Sequence, residues 1–98
     1  LNNTLCENAA VRAEEISRKN CFSHTRPDGT MCSTAVTVNY MTCGENIAYG
    51  TRSASATVTA WMNSPGHKEN ILSENFTEAG FGCYEVNGVR YWVQIFIG

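Results

Sequence analysis

The chain is 98 residues long, 43% of its residues are hydrophobic, 16% are charged, and its formal net charge is −2 at pH 7. A length near one hundred residues supports a single domain with a modest core, so residues 1–98 are expected to form one domain. Nucleic-acid binding needs a basic surface, which this composition does not provide. No apolar run approaches the roughly 18 residues of a membrane-spanning helix, so no membrane span is expected.

Five cysteines are many for a chain of this length, and they stand at Cys6, Cys21, Cys32, Cys43 and Cys83. An odd count leaves at least one thiol free or paired outside the chain. Cys32 and Cys43 flank one loop and are the favoured internal pair, while five free thiols is an equally weighted alternative. No Cys-x-x-Cys occurs, so a structural zinc knuckle is not predicted.

The first predicted element is a helix over about residues 3–19. Thr4-Leu-Cys-Glu7 fits a capping box at its start. Arg18 and Lys19 suit the negative end of the helix dipole in the last turn, and Asn20 can end the helix. One apolar stripe runs along it at helical spacing: Leu5, Ala9, Ala13 and Ile16.

Two features near the end of this helix bear on function. Glu14 and Glu15 are adjacent, so they point to different sides of the helix and are expected to be solvated. Pro27-Asp28-Gly29 predicts a turn. His24 therefore lies in a loop directly after a helix, a common place for functional side chains, with a plain surface histidine as the alternative.

The middle of the chain is less regular. Residues 31–43, with β-branched residues within 34–38, fit either a short helix or an extended segment. Two glycines then frame the apolar run Gly44-Glu-Asn-Ile-Ala-Tyr-Gly50. Glu45 at its start could serve as a metal ligand, as a base or as a hydrogen-bonded structural group.

A second helix starts at a cap on Ser53 or Ser55 and has to stop before Pro65. Ser64 followed by Pro65 predicts the start of a short helix over residues 65–72. His67 then falls in its first turn, where the helix dipole disfavours an imidazolium. A neutral imidazole can bind a metal or accept a proton, although a polar residue at a helix start is the simpler interpretation.

The C-terminal third predicts a β-hairpin that turns at Asn87-Gly88. In that register Glu85 faces Arg90, a favourable cross-strand charge pair. Both faces of the hairpin are apolar, one carrying Ala79, Phe81, Cys83, Trp92 and Phe96, the other Tyr84, Val86, Val89, Tyr91, Val93, Ile95 and Ile97. Helices have to cover both faces, and a third strand is expected around residues 47–49 or 34–38. The predicted class is α+β, with a three-layer α-β-α sandwich around a small antiparallel sheet.

Several of these segments together resemble the CAP superfamily, which comprises the cysteine-rich secretory proteins, antigen 5 and the plant pathogenesis-related class 1 proteins. The likeness is greatest to the short secreted SCP-like domains of bacteria. It runs through nearly the whole chain and is carried by five ordered stretches: Phe22–Gly29, Gly44–Gly50, Trp61–Leu72, Asn75–Gly82 and Tyr91–Phe96.

The resemblance implies an α-β-α sandwich with a central cleft that holds two histidines and two acidic residues. By motif, these positions fall on His24, Glu45 and His67. The fourth position is Ser64, so one expected carboxylate is missing. The resemblance implies that His24 and His67, with Glu45, could hold zinc or another divalent metal with water in an open position.

A second departure concerns the start of the chain, because family members usually have a helix before the one predicted at 3–19. Without it, apolar surface would be exposed or covered by a second chain. We therefore expect either self-association, giving a homo-oligomer, or a chain trimmed at its start.

Three functions compete. The favoured one is a secreted, extracellular or cell-surface binding module for a small ligand, lipid or peptide, with or without a divalent metal. The second is a zinc-dependent hydrolase in which Glu45 is a ligand or the general base. The third is a structural surface domain with a vestigial cleft. A serine hydrolase built on Ser64 and His67 is disfavoured because no Gly-x-Ser-x-Gly elbow is present.

Overall fold

A computed structural model describes the whole chain, Leu1–Gly98. The helices are α1 (Asn3–Ser17), α2 (Ala54–Met62) and α3 (Pro65–Leu72), and a short 3-10 turn spans Cys32–Ala35. The strands are β1 (Cys43–Tyr49), β2 (Glu78–Val86) and β3 (Val89–Ile97). They form one antiparallel sheet in the order β1-β3-β2, which leaves β1 and β2 at the edges. No helix is long and apolar enough to cross a membrane.

Helix α1 begins and ends close to the predicted limits, but its N-cap is not the predicted capping box. The side chain of Asn2 accepts a hydrogen bond from the backbone N–H of Leu5 at 3.0 Å, so Thr4 lies inside the helix. The helix ends at Ser17, two residues earlier than expected. Asn20 then adopts a left-handed φ of 61°, which turns the chain away from the helix axis.

Helix α1 covers one face of the sheet, and its predicted apolar stripe forms the core there. Leu5, Ala9, Ala13 and Ile16 are all fully buried against β1 and β3 residues such as Val93. Strand β2 meets this helix with glycines. A Cβ on Gly80 would lie 2.2 Å from the carbonyl carbon of Leu5, and one on Gly82 would lie 2.5 Å from the backbone nitrogen of Ala10.

Helices α2 and α3 lie on the other face. The indole of Trp61 is buried and donates to the carbonyl of Ile47 at 3.1 Å, which ties α2 to β1. Phe81 packs between Trp61 and Trp92, with ring centroids 5.7 and 5.6 Å away. Phe76 stacks on Phe96 at 5.4 Å. The structure is thus the predicted α-β-α sandwich.

The C-terminal hairpin has the predicted turn and register. Asn87 and Gly88 have φ angles of 52° and 79°, as a type I′ turn requires. Glu85 faces Arg90 and accepts a hydrogen bond from its Nε at 3.0 Å. Of the two candidates for a third strand, the one that includes residues 47–49 is correct. Residues 34–35 lie in the 3-10 turn, and residues 36–38 form no strand.

The cysteines remain unpaired in this fold. All five are free thiols, so the alternative of five free thiols holds and the predicted Cys32–Cys43 bridge is not formed. Cys32 lies in the 3-10 turn, whereas Cys43 opens β1 and packs against the core. Self-association is not tested by a single chain and stays a prediction.

The close approach of α1 to β2 leads to a stability prediction. Gly82→Ala should destabilise the protein by about 3 kcal/mol, the upper part of the range for overpacking, because the new methyl group meets helix backbone that cannot rotate away. Urea unfolding measures the change. Gly66→Ala is the matched control, because a Cβ there meets nothing within 4 Å. Equal stabilities of the two variants would contradict the described packing.

Candidate functional site

The candidate site is built on a buried arginine in α1. Arg12 is fully buried, and its guanidinium donates to both carboxylate oxygens of Glu45 at 2.7 and 3.0 Å. It also donates to Glu15 at 2.9 Å and to the carbonyl of Ser23 at 2.7 Å. One side chain thus ties α1, β1 and the loop after α1 together.

Glu15 was expected to be solvated, and that expectation is wrong. It is buried, and it accepts hydrogen bonds from Arg12 and, at 2.7 Å, from Arg26 in the following loop. Burial raises the pKa of the Glu15 carboxyl, but hydrogen bonds from the two arginines outweigh that effect and hold the pKa below its usual value. The carboxylate therefore belongs to the network under the loop.

Glu45 is buried on strand β1 and serves as the centre of this network. Burial raises its pKa, while hydrogen bonds from His24 and Arg12 lower it further than burial raises it, so Glu45 is ionised at neutral pH. Its Oε1 contacts His24 Nδ1 at 2.8 Å in addition to Arg12. Of the roles that the sequence left open, the hydrogen-bonded structural one matches these contacts.

His24 sits above Glu45, and about half of its side chain, 49%, is exposed. Interactions with the side chains of Cys32 and Glu45 raise its pKa to about 9, against the opposing effect of burial. Its imidazole is therefore a cation at neutral pH, held by a buried anion.

Cys32 belongs to the same cluster, and sequence analysis missed it as a site residue. Ligand atoms of His24, Cys32 and Glu45 all lie within 4.8 Å of one another. The signal that could have found it is the Pro27-Asp28-Gly29 turn, which stands midway between residues 24 and 32 and folds them toward each other.

His67 occupies the predicted first turn of α3. Ser64 is the N-cap residue and Pro65 is the first helical residue, as predicted. The hydroxyl of Ser64 does not cap the helix; it contacts His67 Nδ1 at 2.9 Å instead. Burial first, and the charge of His24 second, lower the pKa of His67.

The polar side chain of Asn46 connects helix α3, which carries His67, to strand β1. Asn46 is fully buried and donates to the carbonyl of His67 at 3.1 Å. Asn70 in α3 donates to the side chain of Asn46 at 3.0 Å. The predicted site residues therefore form two hydrogen-bonded pairs, His24 with Glu45 and Ser64 with His67.

The surface recesses of the structure do not coincide with either pair. None of the four surface pockets is lined by a predicted site residue. One recess of about 410 Å³ has a lining that includes Tyr49 and Phe22, and Phe22 stands two residues before His24 in the sequence.

The donor atoms fit the zinc site implied by the resemblance only in part. His24 and His67 each use Nδ1 in a contact within the protein, so a metal would have to bind Nε2 of each ring. Glu45 is less suitable, because its carboxylate already binds Arg12 and His24. His67 also lies outside the cluster of converging donors.

The two histidines are predicted to titrate in separate ranges. His24 should titrate near pH 9 and His67 below 6.5. Because the pKa of His24 is raised on folding, its contribution to stability is complete below about pH 6.5 and is lost as the pH rises through 9. NMR titration of the ring protons measures both values. A His24 pKa near 6.5 would contradict the contact with Glu45 in solution.

Two proteins of Bacillus subtilis are related to the chain in sequence. The uncharacterized protein YkwD is 39% identical over the whole of this chain, which corresponds to 38% of that protein. The uncharacterized membrane protein YlbC is 31% identical over 88% of this chain and 27% of its own length. The chain thus spans well under half of either relative.

Solved structures share the fold. An extracellular protein of Bacillus anthracis that contains an SCP domain matches with a TM-score of 0.86 and 30% identity, over 96% of this chain and 31% of that one. An outer surface protein of Borrelia burgdorferi matches with a TM-score of 0.84, over 98% of this chain and 74% of that one. Its 23% identity bears on the fold alone.

The family assignment rests on nearly the full length of the chain. A model of CAP, the cysteine-rich secretory protein family, matches residues 1–96. The α-β-α sandwich agrees with that match. This chain belongs to the CAP family of cysteine-rich secretory proteins.

Proposed function

We propose that the chain is an extracellular or cell-surface binding module whose ligand, a small molecule, lipid or peptide, contacts His24 and His67 across the edge of β1. The proposal rests on the two side chains that hold the His24 ring in place, Glu45 and Arg12. A half-exposed cationic ring is held by Glu45, which is itself held by the fully buried Arg12. Side chains fixed before binding lose little entropy on binding, so this arrangement favours recognition.

The recess beside the His24 loop supports the same proposal. Phe22 packs edge-on against Tyr49 with centroids 4.8 Å apart, and Tyr49 stacks on Tyr91 at 5.8 Å. The volume of the recess, about 410 Å³, lies within the roughly 300–1,000 Å³ range of ligand pockets. A ligand with an apolar part could contact these rings while a polar part reaches His24.

The proposed location follows from a relative of known description. The Bacillus anthracis protein with 30% identity is an extracellular protein that contains an SCP domain. That chain is about three times as long as the part matched here, since the match covers 31% of it. The proposal therefore concerns the domain, and any activity of a longer protein is a separate question.

Hydrolysis is the weaker alternative because the candidate base has no free role. Glu45 accepts two hydrogen bonds from Arg12 and contacts His24. A general base has to accept a proton from water, and a carboxylate with a lowered pKa held in an ion pair is a poor acceptor. The missing acid at Ser64 removes the other candidate.

A native mass spectrometry screen of the metal-free protein tests the binding proposal, with short peptides, saccharides and fatty acids as probes. At least one class should bind, and His24→Ala or His67→Ala should weaken that binding by about tenfold or more, the cost of a lost hydrogen bond to a charged group. Glu74→Ala, an exposed loop change, is the control and should leave binding unchanged.

Two results would contradict the binding proposal. If no probe class binds, or if both histidine variants bind as the unaltered protein does, the structural surface domain becomes the better account of this chain.

A further inference from the structure

The loop that carries His24 folds back on itself and brings a thiol to the histidine. Thr25 and Met31 form an antiparallel bridge around the turn at Pro27-Asp28-Gly29. The backbone N–H of Cys32 donates to the carbonyl of His24 at 2.8 Å, at the base of that turn. His24 and Cys32 are therefore cross-strand neighbours, although eight positions separate them in sequence.

The side chains of these neighbours supply two different metal ligands. Ligand atoms of His24, Cys32 and Glu45 lie within 4.8 Å of one another. Glu45 contacts Nδ1 of His24, so the ring keeps its Nδ1–H toward Glu45 and can bind a metal through Nε2 once the Nε2 proton has left. Cys32 is a free, half-buried thiol, and its thiolate form is a strong ligand for soft metals.

We propose that His24 and Cys32 together bind a thiophilic metal ion, of which Zn²⁺ is the biological representative, with Glu45 orienting the histidine. The inference shares His24 with the proposed function but does not depend on which ligand the surface binds. It also differs from a zinc site on the two histidines, because His67 lies outside this cluster and has no role in it.

The chemistry of the donors decides which ions can compete. Sulfur and nitrogen ligands select zinc-like ions, whereas Mg²⁺ and Ca²⁺ require oxygen ligands. A metal–sulfur and a metal–nitrogen bond form, and the thiol proton and any proton on Nε2 leave to solvent. With two protein ligands, the remaining positions of the ion stay open to water or to a bound ligand.

Glu45 acts behind the histidine in this site. Its carboxylate stays paired with Arg12 and at the same time accepts a hydrogen bond from Nδ1–H of His24. A carboxylate that fixes the orientation and basicity of a ligating histidine typically strengthens metal binding by roughly 10–100-fold. Glu45 is thus a positioning residue.

Titration of the reduced, metal-free protein with Co²⁺ alone tests this proposal. Co²⁺ occupies zinc sites, and a thiolate ligand gives it a sulfur-to-metal charge-transfer band in the near ultraviolet. The band should appear in the unaltered protein, disappear in Cys32→Ser, and be bleached by added Zn²⁺. Cys83→Ser is the matched control, because Cys83 is an exposed thiol on β2, outside the cluster, and the band should persist there.

Two further variants separate the roles. Glu45→Gln should keep the band but weaken Co²⁺ binding by roughly 10–100-fold. His67→Ala should leave both band and affinity unchanged. A band that persists in Cys32→Ser, or no band in the unaltered protein, would overturn the proposal. The proposal would also be overturned if Co²⁺ bound without producing the band and that binding were lost in His67→Ala. The metal-free ligand screen tests the proposed function separately.

Discussion

The buried ion pair between Arg12 and Glu45 is the constraint on which the candidate site depends. A buried pair of this kind contributes little net stability compared with apolar residues, because both charges lose their hydration. Removing one partner, however, leaves an uncompensated buried charge and costs about 3–5 kcal/mol. The pair therefore matters more for positioning the candidate site than for stability. One guanidinium connects helix α1 to strand β1 and to the carbonyl of Ser23.

In this arrangement the two histidines, His24 and His67, differ in charge. His24 lies over ionised Glu45 and keeps its proton, whereas His67 is partly desolvated, feels the charge of His24 and loses its proton more readily. A cation and a neutral imidazole thus flank the same edge strand. The cation can attract an anion, and the neutral ring can accept a proton or a hydrogen bond, so the two rings differ in the chemistry they offer.

The sequence predicts well those parts of the structure that depend on local patterns. The stripe from Leu5 to Ile16, the turn at Asn87-Gly88 and the start of α3 at Pro65 each follow from residues within one turn or one hairpin. Local patterns point to both candidate histidines, but only the family resemblance places them in one site, because a loop histidine and a helix-start histidine are ordinary features by themselves.

Two of the contacts that sequence reasoning missed depend on partners that are distant along the chain. Glu15 was judged solvated from its helix position, because nothing local reveals Arg26 beyond the end of α1. Cys32 reaches His24 only when the intervening turn closes. Ser64 was assigned as a helix cap, yet its hydroxyl contacts His67, because cap and histidine compete for one oxygen.

The central claim is that Arg12 holds the His24 loop in place, and amide hydrogen exchange of Cys32 tests it most directly. Arg12→Lys keeps the charge, but a single ammonium cannot reach Glu45, Glu15 and the Ser23 carbonyl at once. Exchange at the Cys32 amide should then accelerate, while amides at the centre of the β2–β3 hairpin stay protected. The exposed substitution Arg18→Lys should change neither. Unchanged protection of Cys32, or an equal loss of protection throughout the sheet, would contradict the account.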